Sequence, residues 1–289
     1  MTTDTSKITG AADDLSDKLT RGGSAAKTLG AEIANAFKAL DSRVTALEAG
    51  GGSGPVPPDP VPPDTGGPTG GVITSFTNQA NKDFLIDNKP VGVHGAGQPW
   101  GLRQLDDVTL RYEVRPGDKA WYDGGTVERS MTSMYVKKND NEVVKVAYRL
   151  MVEPGPVQNA QWMTLGEMHN DDSQLSYATS PYVAVELQGG DRFAMVYRYS
   201  APGSSDIKTA TPWKQAANFE RGRWYIFELE FKGNQTAGYL KLKLDGQQVV
   251  DYKGPLGYGC RGYWMHGPYR EAGSNQTFAA QVKNQSGNW

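Results

Sequence analysis

Two hydrophobic periods divide the chain. Between Leu29 and Leu47 the apolar residues Ile33, Phe37, Leu40, Val44 and Leu47 follow one another at spacings of 4, 3, 4 and 3, the a/d alternation of a coiled-coil seam. A seam of about two heptads does not hold in water as an isolated helix, so residues 1–50 form a helical segment that needs partners. Two readings stay open: a helix that oligomerises with copies of itself, and an amphipathic helix that docks on another protein. Phe37 favours more than two strands, so a trimer through residues 29–47 is the expected assembly. Residues 51–72 carry seven prolines between glycine-rich ends. They read as a semi-rigid polyproline II stalk, with a docking ligand as the other use of such a tract.

From residue 73 the period changes to two. Val108–Val114, Val144–Val152, Val183–Leu187, Phe193–Tyr199, Trp224–Phe231 and Tyr239–Leu244 alternate or run rich in β-formers, with Gly, Pro and Asn-Asp breaks between them. Leu240, Leu242 and Leu244 share one face. Asp245-Gly246 then predicts a type I′ hairpin, because both central positions of that turn need positive φ. Many strands without βαβ alternation predict a mainly β fold over residues 73–289, a jelly-roll β-sandwich behind the N-terminal helical segment. Trp224, at the head of an alternating strand, is expected in its core.

Composition supports a single core. All seven Trp and all fourteen Tyr lie after residue 72, and Phe37 is the one aromatic before it. The net charge is −2, from 30 basic against 32 acidic residues, and no basic stripe suggests a nucleic-acid partner. No apolar run approaches the ~20 residues of a membrane span, and the first residues lack a secretory pattern, so synthesis in the cytoplasm without a signal peptide is expected. The single cysteine, Cys260, excludes an intramolecular disulfide and a thiolate metal cluster. Asp and Asn are scattered without ligand spacing, so no cofactor is expected and calcium is not indicated.

Three histidines are present, His94, His169 and His266, and HExxH, CxxC and GxSxG are all missing. What remains are polar residues set in strands. Glu167 and His169 are two apart and share a strand face, with Asn170 closing the same stretch. Tyr263, Met265, Gly267 and Tyr269 share a register if their segment is extended, although Pro268 disturbs it. Glu128-Arg129-Ser130 follows a turn at Asp123-Gly124-Gly125.

In order along residues 105–282, six pieces resemble the jelly-roll polysaccharide lyases, the heparin-lyase-like and glucuronan- and alginate-lyase-like families. They are Arg111–Asp118, Glu128-Arg129-Ser130, Gly166–His169, Ser180–Val185, Arg221–Tyr225 with the Leu244-Asp245-Gly246 hairpin, and Tyr263–Arg270, which is similar to a Tyr-x-Lys-x-Gly-x-Tyr strand. The resemblance implies β-elimination on an acidic, uronate-containing polysaccharide. It makes His169 the base, Tyr269 the acid or combined acid and base, and Arg129 the neutraliser of the uronate carboxylate. Glu167, Asn170, Tyr263, His266 and Arg270 become substrate contacts. The chain departs from the family pattern at Glu167, where a Gln is common, and at Met265, where a Lys is common; both changes favour a binding site as the alternative to an enzyme. Helix, stalk and β head together resemble a phage tail fibre or spike. That layout implies a virion location, attachment to a tail protein through the N-terminus, and a head that engages bacterial polysaccharide. A structural decoration of the virion is the third reading.

Overall fold

The computed structural model describes residues 67–77 and 83–289; the helical seam and most of the stalk lie outside the described residues. A nine-stranded sheet has the order β1 (Ile73–Thr74), β2 (Phe84–Ile86), β3 (Lys89–Gly95), β6 (Val127–Met134), β15 (Gly262–Glu271), β8 (Met163–Asn170), β9 (Val183–Leu187), β10 (Phe193–Tyr199) and β11 (Lys208–Lys214). A seven-stranded sheet has the order β14 (Gln247–Leu256), β13 (Asn234–Leu244), β12 (Tyr225–Lys232), β7 (Val143–Val152), β16 (Phe278–Gly287), β5 (Thr109–Val114) and β4 (Leu102–Asp106). Every pairing between neighbouring strands in both sheets is antiparallel.

The two sheets bury a shared core, and their sequences differ because their outer faces differ. In β7, Val144, Val146, Tyr148, Leu150 and Val152 are buried while the residues between them reach solvent or its edge. That is the alternation of a sheet wet on one side. In β9 all five residues are buried, and β8 is buried at seven of its eight. The residues of the nine-stranded sheet's middle strands are therefore buried on both faces. Phe227, Leu229 and Phe231 of β12 and Trp264 of β15 meet between the sheets, with Tyr148 stacked on Phe227 at 5.3 Å.

The expected hairpin forms where its residues require it. Asp245 and Gly246 take φ of 50° and 79°, and Leu244 pairs with Gln247. Trp224 differs from expectation: it lies next to the buried Tyr225 on the opposite face, half-exposed under the Lys283 ammonium at 4.4 Å. Strand alternation turns the residue before a core tyrosine outward. The tryptophans that do fill the core are Trp264 and Trp289. Strands β1–β3 and β11 carry no period in the sequence, being short, edge-placed or interrupted by Pro90 and Pro212.

Strand β15 crosses the middle of the nine-stranded sheet and shifts register by one residue against β8 between His266 and Tyr269. Gly267 sits in that shift at φ +113°, where a Cβ would lie 2.2 Å from the Ser130 carbonyl oxygen and 2.7 Å from Tyr112 Cδ1. The Gly267→Ala variant is accordingly expected to lose roughly 3 kcal/mol in urea unfolding, through strain and the forced shift of β6. Unchanged stability would show that β15 has another way through.

Candidate active site on the outer face of the nine-stranded sheet

Three adjacent strands, β6, β15 and β8, carry the polar residues outward in rows. Arg129 pairs with Tyr269, which pairs with Thr164. Next, Ser133 pairs with Met265, which pairs with Glu167; in the row beyond, Tyr263 pairs with His169. Met131, Met265, Ser133, Thr164 and Glu167 point away from the core and are nevertheless buried. Outward residues can only be buried if neighbouring side chains rise around them, so this part of the face is recessed.

Arg129 is held from three sides. Its Nε and Nη2 donate to Asp123 Oδ2 and Oδ1 at 2.8 and 2.5 Å, and its guanidinium lies over the Tyr269 ring at 4.3 Å and the Tyr122 ring at 5.4 Å. Asp123 also closes the turn it belongs to. Its backbone N–H donates to the Ala120 carbonyl at 3.0 Å, and its Oδ2 accepts from the Ala120 N–H at 2.9 Å. The bidentate pair fixes the guanidinium plane, and Asp123 offsets most of its charge.

The histidines on this face differ in their partners. His94 of β3 has Nδ1 2.6 Å from the Tyr122 hydroxyl and Nε2 2.8 Å from Ser133 Oγ. Burial, with Arg129 and His169 nearby, lowers its pKa to about 4, so the ring is neutral at pH 7. His169 has Nδ1 3.2 Å from Glu167 Oε1. Its Nε2 lies 3.9 Å from Asp172 Oδ2. In the tautomer that donates from Nδ1 to Glu167, Nε2 carries the ring's lone pair. The other oxygen of Glu167, Oε2, is buried without a hydrogen-bond partner among the described residues. Burial raises the phenol of Tyr269, with Arg129 pulling it down and Glu167 and Asp123 pushing it up. Tyr263, 5.4 Å from the His169 ring, is pushed up to about 12 by burial first and by Glu167 next. Both phenols keep their protons at neutral pH.

Five of the eight residues expected at the site share this face: Arg129, Glu167, His169, Tyr263 and Tyr269. The other three do not. His266 points into the core, where Trp264 Nε1 donates to its Nε2 at 3.0 Å and Tyr148 packs 4.5 Å away. Arg270 is 1% exposed and locked to Glu128, its Nε donating to Oε2 at 2.7 Å and its Nη1 to the Gln276 carbonyl at 2.9 Å. Strand alternation sends it to the side opposite Tyr269, which removes it as a substrate contact. Asn170 is 1% exposed and spends its amide donors on Thr179 Oγ1 and the Ser180 carbonyl, pinning the loop before β9. His94, Tyr122 and Asp123 were not expected at the site; of the three, only the strand-borne His94 had a sequence signal, its residue type. Among the described residues no three His, Cys, Asp or Glu side chains gather as a metal site.

Residues 102–285, more than half of the chain, match the polysaccharide lyase family. The chain belongs to that family. Among curated proteins none matches its sequence. Of solved structures, this polysaccharide lyase domain is similar to an endo-β-1,4-glucuronan lyase from the fungus Trichoderma reesei, with a TM-score of 0.54 and 13% identity over 74% of this chain and 95% of that one. It is also similar to LamAcat from Zobellia galactanivorans, with a TM-score of 0.50 and 10% identity over 76% of this chain and 96% of that one. At such identities the likeness is one of fold.

The two lowered histidines make the polysaccharide lyase domain sensitive to acid. His266 is fully buried and lowered to about 3, and His94 to about 4, while an unfolded histidine titrates near 6.5. Between those values the unfolded chain binds protons that the folded one refuses, so stability is complete above pH 6.5 and falls as pH drops towards 4. Each group contributes a slope of about 1 kcal/mol per pH unit where fully buried, and less at the partly exposed His94. Urea midpoints measured from pH 7 to pH 4 are expected to fall, and His94→Gln to flatten the fall; a midpoint independent of pH would contradict these placements.

Proposed function

We propose that the head of this polysaccharide lyase cleaves an acidic polysaccharide by β-elimination at uronate residues, with Arg129, His169 and Tyr269 as its working groups. The observation that carries the reading is the row Arg129–Tyr269, with His169 on the next strand of the same recessed face. In the reaction the C5–H bond breaks, its electrons form the C4–C5 double bond, and the C4–O bond breaks. The leaving oxygen takes a proton. His169 Nε2 has the lone pair to accept the C5 proton, and the protonated phenol of Tyr269 supplies the one that the leaving oxygen needs. Arg129 faces the charge that develops on the uronate carboxyl group.

A second reading has specific support. Asp123 already pairs with the Arg129 charge, Met265 is uncharged, and Glu167 presents a carboxylate on the recess floor. Such a face suits recognition of sugar without cutting. The seam at residues 29–47 and the stalk further support a trimeric fibre on a virion tail, with this head turned towards a bacterial surface. Several weak sites on one oligomer then raise the effective concentration for the next contact.

Ultraviolet absorbance of the unsaturated product tests the chemistry. On glucuronan or alginate the wild-type protein is expected to generate signal, and Tyr269→Phe and His169→Ala each to lose at least 100-fold, the order of a general acid–base contribution. Binding without absorbance would favour the recognition reading. The mass of the full chain in solution tests the fibre: the proposal requires about three times 31.4 kDa, and a monomer at micromolar concentration contradicts it.

A further inference from the structure

Trp121 is 89% exposed, on a molecule whose other aromatic side chains are mostly packed away. Tryptophan carries the largest apolar area of any side chain, and its exposure forgoes that burial. The turn that presents it is rigid. Ala120–Asp123 is closed by the Asp123 N–H to Ala120 carbonyl bond at 3.0 Å, and Asp123 is clamped onto Arg129. Trp121 and Tyr122 occupy the two central positions. Tyr122 turns towards His94, with the hydroxyl and Nδ1 2.6 Å apart, while Trp121 faces solvent.

From that rim a continuous series of flat groups crosses the site. Trp121 meets Tyr122 at 5.5 Å, Arg129 lies over Tyr122 at 5.4 Å and over Tyr269 at 4.3 Å, and Tyr269 meets Trp162 at 5.1 Å. The outermost member is the one whose faces are open. A pyranose ring presents a patch of C–H groups to such a face and keeps its hydroxyls in water, whereas an apolar peptide would need a wider apolar surround. Along the chain Trp121 stands between Ala120 and the half-exposed Tyr122, with Lys119, Asp123 and Gly124 beyond them, and Tyr122 is the one other large apolar side chain exposed in this turn.

We infer that Trp121 is the platform of an outer sugar subsite, stacking a pyranose of the polysaccharide a short way along the chain from the residue over Tyr269 and Arg129. This rests on the carbohydrate reading of the face and extends it to a residue remote from the reacting atoms. Trp121 adds affinity for the polymer and leaves the chemical step alone.

Trp121→Ala and Trp121→Phe are compared with the wild type by affinity electrophoresis in gels containing glucuronan, alginate or laminarin, and by steady-state kinetics on whichever polymer is cut. For Trp121→Ala the inference requires about a tenfold weaker Kd and a similarly raised KM, with kcat unchanged and the Tm within a degree or two; Trp121→Phe keeps most of the affinity. Unchanged affinity in Trp121→Ala, with the wild type binding, overturns it. So does a loss confined to kcat, which would mean that the residue only supports the Tyr122–Asp123 turn. A wild type that binds without cutting removes the lyase chemistry and leaves the platform testable by Kd, while a wild type that binds none of the three overturns the carbohydrate reading and the platform with it.

Discussion

Strand β8 breaks its two-residue alternation once, and the arrangement of the outer face follows from that break. Leu165 is buried in the core, and a Cβ on Gly166 would point there too, 3.1 Å from both Trp264 Cζ2 and Tyr148 Oη. Two successive residues turned inward rephase the strand, so Thr164, Glu167 and His169 all face outward. Unbroken alternation from Thr164 would bury Glu167 and His169 among Tyr148, Trp264 and His266. The absent side chain at Gly166 makes room for the rephasing, and β9 accommodates it through a register shift at the same place. The neighbouring shift in β15, at Gly267, keeps Tyr269 beside Thr164 and opposite Arg129.

The arginines on this face and beneath it are each held by a carboxylate. Asp123 serves Arg129, Glu186 serves Arg198 at 2.9 Å, and Glu128 serves Arg270 beneath the surface. Buried pairs of this kind hold geometry more than they add stability, since desolvation takes back much of the attraction. For a polyanionic ligand the consequence is that attraction is local. The near-neutral net charge supplies no long-range pull, and recognition falls to stacked rings, hydroxyls and the remaining edge of one guanidinium.

Much of this was readable from residues alone, and the exceptions have physical causes. The strand periods marked Val183–Leu187 and Phe193–Tyr199 to the residue, because burial on both faces forces a near-continuous apolar run. Glu167 and His169 were placed together correctly, since residues two apart share a face on either side of the break. His266 and Arg270 were misplaced as contacts because a polar side chain in a strand has no outward mark of its own. Their partners, Trp264 and Glu128, decide the direction, and Glu128 lies 142 residues away in sequence. His94 has no mark in the sequence beyond its residue type for a similar reason: its strand has no period, and Tyr122 and Ser133, which hold it, come from a turn and a strand that only the fold brings near.

The most direct test of the central claim, that this face receives the polysaccharide, is a crystal structure of the Tyr269→Phe variant soaked with glucuronan or alginate oligosaccharides. The account predicts sugar rings lying across β6, β15 and β8, with one ring between residue 269 and His169. Oligosaccharide bound instead on the outer face of the seven-stranded sheet, around Tyr239, Lys241 and Lys253, with the Arg129 row empty, would contradict it.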